Sequence, residues 1–147
     1  MPFRFSLAAV LVVRKNVEQR EERALKKIQL DMAHATRELE QLDAEIAHVQ
    51  AAREQAMQVP IPAVQLHAYE ERAELATEKK KILVVQIQKL RLELAGQMKV
   101  YQAAHRDREA LTDMLKKRRE EYDQEQTRQQ QKQLDDMFMA RRHRNEQ

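Results

Sequence analysis

The sequence predicts an all-α fold: a long antiparallel two-helix coiled-coil hairpin with a C-terminal helical overhang. Two long ladders of apolar residues, stepped alternately three and four apart, indicate the helices. One pair of prolines separates the ladders, and a single glycine and no cysteine in 147 residues leave little with which to build turns, strands or disulfides. A mean spacing of 3.5 residues keeps one narrow apolar seam facing a partner helix along its length.

The longer ladder spans residues 66–122, and thirteen of its seventeen positions are apolar. A helix with such a seam needs a partner helix to cover it. The positions are Leu66, Tyr69, Ala73, Ala76, Lys80, Leu83, Ile87, Leu90, Leu94, Gln97, Tyr101, Ala104, Arg108, Leu111, Leu115, Arg118 and Tyr122.

The shorter ladder spans residues 25–56, and only Arg53 breaks it. Upstream, Val10 and Val17 are out of phase with this ladder by one residue, and the step of eleven from Val17 to Ile28 indicates a stutter. Regular pairing should loosen there. The positions are Leu25, Ile28, Met32, Ala35, Leu39, Leu42, Ile46, Val49, Arg53 and Ala56.

The sequence Val-Pro-Ile-Pro at residues 59–62 is the only strong break in the helical pattern. Each proline lacks an amide donor and disfavours helical geometry in the residue before it. We therefore expect a first helix at about residues 5–58, a turn at 59–62 and a second helix at about 63–140. Together they would form a single coiled-coil hairpin over residues 1–147.

Pairing about this turn places the polar residues 14–21 opposite residues 100–107, where Gln97 and Arg108 interrupt the longer ladder. The two polar stretches belong to different helices, so their coincidence supports the register. The same pairing leaves the chain after about Lys116 without a partner in the hairpin.

The charge distribution argues against nucleic-acid binding, and the apolar run at the start of the chain does not predict membrane insertion. The net charge is +3, and the basic residues are interspersed with acidic ones instead of forming one basic block. The apolar run within residues 1–13 is too short to cross a bilayer and lacks a small-residue cleavage site, so we interpret it as the start of the first helix. Only the isoelectric point of about 9.2 and the sequence at residues 141–144, Arg-Arg-His-Arg, favour the alternative of a nucleic-acid-binding coiled coil.

No constellation of residues predicts catalysis, a cofactor or a metal site. The one glycine, Gly96, lies inside the second helix and cannot form a phosphate-binding loop. The five histidines are scattered, and a pair such as His105 and Glu109 supplies at most two ligands. We therefore expect that the protein is not an enzyme.

The two ends of the chain resemble FliJ, the small coiled-coil component of the bacterial flagellar export apparatus. The resemblance rests on residues 3–11, Phe-Arg-Phe-Ser-Leu-Ala-Ala-Val-Leu, followed by Arg14, and on residues 131–136, Gln-Lys-Gln-Leu-Asp-Asp, followed by Arg141 and Arg142. Length and the proline break agree with it along the whole chain. It implies a role in flagellum biogenesis, motility and chemotaxis.

The resemblance also implies partners and a location. A FliJ-like protein would form a stalk, similar to the gamma subunit of rotary ATPases, inside the hexamer of the export ATPase. It would contact the cytoplasmic domain of the export gate and escort substrate-specific export chaperones. It would be cytoplasmic and peripheral to the inner membrane, without inserting into it.

Two sets of residues are candidate contacts in this interpretation. In the family, an apolar face early in the second helix is associated with the gate, and the matching positions are Tyr69, Ala73, Ala76 and Lys80. Lys80 departs from the neutral residue typical there, and the alternative is that all four pack against the first helix.

The second set lies in the overhang and is the candidate contact with the ATPase ring. Leu134, Met137 and Phe138 fall at i, i+3 and i+4 on one helix face, flanked by Arg141 and Arg142. The alternative is a frayed tail without function. The alternative function is that of a general coiled-coil scaffold or chaperone, including a stalk protein of virulence secretion, because such proteins share every periodic feature. The sequence leaves the oligomeric state and the identity of the bound chaperones open.

Overall fold

The computed structural model describes residues 1–147 and contains two long helices, α1 (Ala8–Ala56) and α2 (Ala63–Asn145). No residue lies in a strand. The two helices pair in opposite directions on either side of a short connection. The prediction of an all-α, antiparallel two-helix hairpin is confirmed.

The connection between the helices follows from its two prolines. The first helix ends at Ala56, and the amide of Met57 still donates to the carbonyl of Arg53 at 2.9 Å. At the start of α2, the carbonyl of Pro62 accepts hydrogen bonds from the amides of Gln65 and Leu66 at 3.1 and 3.2 Å. Pro62 thus stands immediately before the helix, where the missing amide of proline costs nothing.

Three of the four helix ends differ from the predicted positions, and the first helix ends at Ala56 instead of about residue 58. The first helix begins at Ala8 instead of about residue 5, because the preceding residues run across α2. The second helix continues to Asn145 instead of about residue 140. Its last turn contains Arg142, His143 and Arg144, and cationic side chains stabilise the carboxyl end of a helix.

The chain divides into two compact units. The hairpin unit is Arg20–Gln102, and the terminal unit combines Met1–Gln19 with Ala103–Gln147. Both helices continue through both units. The description of residues 1–147 as a single coiled-coil hairpin stays a prediction.

The core of the hairpin unit consists of ladder residues from both helices. Ala35, Leu83 and Ile87 form its central cluster, with exposed fractions of 3, 5 and 7%. Three ion pairs join the helices in this unit, from Arg53 to Glu70 at 3.3 Å, from Lys80 to Asp43 at 2.6 Å and from Arg72 to Glu45 at 3.9 Å. The partly buried residues packed against the cluster are Met32, Leu39, Leu42 and Leu90.

The core of the terminal unit is smaller and includes aromatic side chains from the segment before α1. Phe5, Leu11 and Ala104 are its buried apolar residues. The ring centroid of Phe3 lies 5.4 Å from that of Tyr122, and the guanidinium of Arg118 lies 5.6 Å from the Phe5 ring. Cations over aromatic faces and tilted ring pairs are both attractive arrangements.

These contacts correct the predicted start of the overhang. Residues after about Lys116 were expected to lack a partner, but the segment before α1 covers α2 as far as Tyr122. Arg118 donates a hydrogen bond to the Ser6 hydroxyl at 2.8 Å, and the Tyr122 hydroxyl donates to the carbonyl of Met1. The overhang therefore begins after Tyr122, and from residue 127 onward every residue is exposed.

The seam can be tested by truncating one buried leucine. Leu83→Ala should lower the free energy of unfolding by about 2–4 kcal/mol, because it removes apolar contacts and leaves a cavity in the central cluster. Leu30→Ala is the matched control, since Leu30 is 71% exposed, and it should change stability by less than about 0.5 kcal/mol. Urea denaturation followed by circular dichroism measures both. Equal losses for the two variants would contradict the seam.

Candidate partner-binding surfaces

The candidate contact with the ATPase ring lies on an uncovered stretch of α2. Leu134, Met137 and Phe138 are 60, 56 and 68% exposed. Together with Asp135 and Arg141 they line one shallow groove. The structure thus brings four of the five predicted residues to one surface, whereas Arg142 lies outside the groove and pairs with Glu146 at 3.2 Å.

Hydrogen bonds and ion pairs one turn apart support the helix beneath this surface. The Gln131 amide donates to Asp135 at 3.2 Å, and Arg142 forms an ion pair with Glu146 at 3.2 Å. Pairs at i, i+4 each stabilise an exposed helix by a few tenths of a kcal/mol. Local pairs therefore order this helix, while its apolar side chains stay in water.

The candidate gate contact lies at the interface between α1 and α2. Ala76 is 3% exposed, and Tyr69 and Ala73 are half-buried. The ammonium of Lys80, in place of the expected neutral residue, forms the 2.6 Å ion pair with Asp43. The four residues thus lie along the seam, and only parts of Tyr69, Ala73 and Lys80 reach the surface.

A charged cluster interrupts the seam of the terminal unit where the sequence predicts polar residues. The Glu18 cluster comprises Glu18, His105 and Arg108. Arg108 Nε donates to Glu18 Oε2 at 2.5 Å, and His105 Nδ1 lies 2.9 Å from Glu18 Oε1. Nearby, Arg14 pairs with Asp107 at 3.3 Å, as the predicted register requires.

This environment favours the ionised form of Glu18. The hydrogen bond from Arg108 lowers the pKa of Glu18 below its usual 4.5, and His105 lowers it further, whereas burial of the carboxylate opposes the shift. The side chain of Glu18 is only 15% exposed, so its charge depends on these partners. The cluster thus joins α1 and α2 through an ion pair, whereas the residues of the ladders join them through apolar contacts.

The hairpin unit contains a comparable polar contact at Gln97, which also interrupts the longer ladder. The side-chain amide of Gln97 donates to the Glu21 carboxylate at 2.6 Å and to the Glu21 carbonyl at 3.1 Å. The hydrogen bond from Gln97 lowers the pKa of Glu21. Gln97 and Arg108, the two polar residues of the longer ladder in this stretch, thus each meet a glutamate of α1.

No group of three or more His, Asp or Glu side chains is arranged to hold a metal ion. A comparison with known protein families identifies the family of the chain. The family described as flagellar FliJ protein matches residues 3–147. The chain belongs to the FliJ family. The predicted resemblance is confirmed, and the match includes both Phe3 and the uncovered stretch of α2.

FliJ proteins are non-catalytic components of flagellar export, which makes this chain a flagellar export-related protein. No curated protein and no solved structure matches the chain. Neither helix of this FliJ protein contains an apolar segment long enough to span a membrane.

The contribution of the Glu18 cluster can be measured through its pH dependence. Because the pKa of Glu18 is lower in the folded than in the unfolded chain, its contribution to stability is complete above about pH 4.5 and is lost as the pH falls through the folded-state pKa. Glu18→Gln should therefore lower the free energy of unfolding by about 1 kcal/mol at neutral pH. The difference from the unsubstituted protein should disappear in strong acid.

Thermal melts between neutral and strongly acidic pH measure this difference. Glu22→Gln is the control, because Glu22 makes only an exposed ion pair with Lys26 at 3.2 Å. A Glu18→Gln effect that persists unchanged in strong acid would show that the charge of Glu18 is not its cause.

Proposed function

We propose that this FliJ protein is the central stalk of the flagellar export ATPase and that the end of α2 is its contact with the ATPase ring. The observation that carries the proposal is the exposed apolar surface of Leu134, Met137 and Phe138. No other part of the chain covers this surface. Apolar side chains clustered on an otherwise polar helix are typical of a partner-binding site.

The charges around this surface favour a partner with acidic or carbonyl groups at its rim. Arg141 borders the groove, and the helix ends in Arg142, His143 and Arg144. Positive side chains at the rim of an apolar contact mainly set orientation and association rate. A ring of ATPase subunits whose central opening presents carboxylates or helix carboxyl ends would satisfy both features.

The second part of the proposal concerns the export gate and the chaperones. We assign the gate contact to the exposed edges of Tyr69, Ala73 and Lys80, with Ala76 holding α1 and α2 close together. Small side chains at a helix interface permit close approach of the backbones, so a partner can reach both helices at this edge. In this role the protein works in the cytoplasm, at the inner-membrane export apparatus, and passes substrate-specific chaperones to the gate.

The contact with the ATPase can be tested by a double substitution. Leu134→Ala with Phe138→Ala should weaken association with the export ATPase at least about tenfold, because buried aromatic and aliphatic anchors carry most of the energy of such contacts. Stimulation of ATP hydrolysis should fall in parallel. Helicity and melting temperature should stay almost unchanged, since both side chains are exposed.

The matched control is Leu30→Ala with Val64→Ala, which removes apolar side chains that are 71 and 83% exposed elsewhere on the helices. This control should bind the ATPase normally. A Leu134→Ala, Phe138→Ala variant that binds and stimulates normally would rule out this surface. A variant that unfolds at lower temperature would show that the end of α2 packs onto the protein instead.

A further inference from the structure

A second apolar stripe lies on α2 outside the seam. Leu75, Ile82, Val85 and Leu92 are 59, 70, 52 and 77% exposed, and none of them belongs to the longer ladder. With Glu78 and Lys89 between them, these residues are again spaced alternately three and four apart, which is the spacing of a coiled-coil seam. We call residues 75, 78, 82, 85, 89 and 92 the outer stripe.

The outer stripe faces away from α1. Within the same stretch, Leu83 and Ile87 are 5 and 7% exposed against α1, whereas Ile82 and Val85, which fall on the far side of the helix, are open. Gly96, at the next position of this spacing, confirms that the side is empty, because a Cβ there would meet no atom within 4 Å. Nothing in the chain covers this face of the helix.

The outer stripe is complementary to its own reverse. Counted from a midpoint between residues 83 and 84, Leu75 lies as far to one side as Leu92 lies to the other. Ile82 and Val85 are related in the same way. A second copy related by a two-fold axis through this midpoint would place its Leu92 against Leu75 and its Val85 against Ile82. Such a self-complementary contact is isologous.

The two charged members of the outer stripe obey the same symmetry. Glu78 and Lys89 are equally distant from the midpoint, so an antiparallel copy brings each Glu78 opposite the partner's Lys89. A parallel copy would instead set like charges against each other, which is destabilising. Within the chain, Glu78 makes only an exposed pair with Lys81 at 3.3 Å, so both charges are accessible.

We propose that the outer stripe of α2 binds a second copy of this chain in antiparallel orientation, with Leu75, Glu78 and Ile82 of each copy against Leu92, Lys89 and Val85 of the other. The contact spans fewer than three heptads per helix. It is therefore smaller than a permanent dimer interface, and the dimer forms and separates with concentration. The outer stripe shares no residue with the proposed ATPase and gate contacts, so its test does not depend on them.

Reversing the charges tests the proposal. Glu78→Lys and Lys89→Glu should each weaken dimerisation about tenfold, because each places two pairs of like charges in the contact. The double variant Glu78→Lys with Lys89→Glu restores opposite charges and should dimerise like the unsubstituted chain. Sedimentation equilibrium from micromolar to near-millimolar concentration measures the dimer, and circular dichroism checks that each variant is folded.

The matched controls reverse exposed charges outside the outer stripe. Glu40→Lys and Lys27→Glu change the net charge by the same amounts as the two test variants, and both side chains are exposed on α1. They should leave dimerisation unchanged. This comparison separates the local effect of the outer stripe from the effect of net charge.

The orientation can be tested with single cysteines, since the chain has none of its own. In the antiparallel dimer, oxidising a mixture of Leu75→Cys and Leu92→Cys chains should join the two kinds of chain. Oxidising either alone should not, because seventeen residues of helix, about 25 Å, separate each cysteine from its copy.

Three results would overturn the proposal. They are a chain that stays monomeric at near-millimolar concentration, a dimer that neither charge reversal weakens, and disulfides that form within Leu75→Cys alone. If the chain stays monomeric and the charge reversals instead weaken binding to the export ATPase or gate, the outer stripe belongs to a different partner.

Discussion

The structure depends on the burial of one apolar seam between two antiparallel helices. All the buried residues of the hairpin unit, such as Val49 and Leu83, come from the predicted ladders, and no second layer of structure covers the remaining faces of the helices. Each helix can therefore bury only about one side. The uncovered sides are available for partners. The buried seam and the exposed surfaces of this FliJ protein therefore have one cause, because no further element packs against the two helices.

We infer that polar contacts at the breaks in the seam fix the register in which the helices pair. A purely apolar ladder repeats every seven residues and tolerates a slip by one heptad. Glu18 with Arg108, and Glu21 with Gln97, would each lose their partners in such a slip. Charged groups that are partly withdrawn from water contribute little net stability but penalise wrong pairings, which is the role we assign to them here.

The sequence predicts the features that repeat along the helices but not those that occur only once. The alternation of three and four residues predicted both helices and the buried faces of Ala35, Leu83 and Ile87. It missed the contacts of Phe3 and Phe5 with α2, because two aromatic residues outside a helix carry no periodic signal. The only hint was that they are two of the three phenylalanines in the chain. The outer stripe is also periodic, but the sequence alone does not show that it is exposed, because its exposure depends on which side of α2 is covered by α1.

The pairing of the two helices within one chain is the central claim, and the ion pair between Lys80 and Asp43 permits a direct measurement. Their side chains are 2.6 Å apart, so a carbodiimide should join them as an amide. The reaction is run at sub-micromolar concentration on an equal mixture of unlabelled and ¹⁵N-labelled chains, and the joined peptides are weighed by mass spectrometry. Peptides in which both halves carry the same label are the result expected for a hairpin. Peptides that combine the two labels at random would contradict it and assign the seam to two different chains.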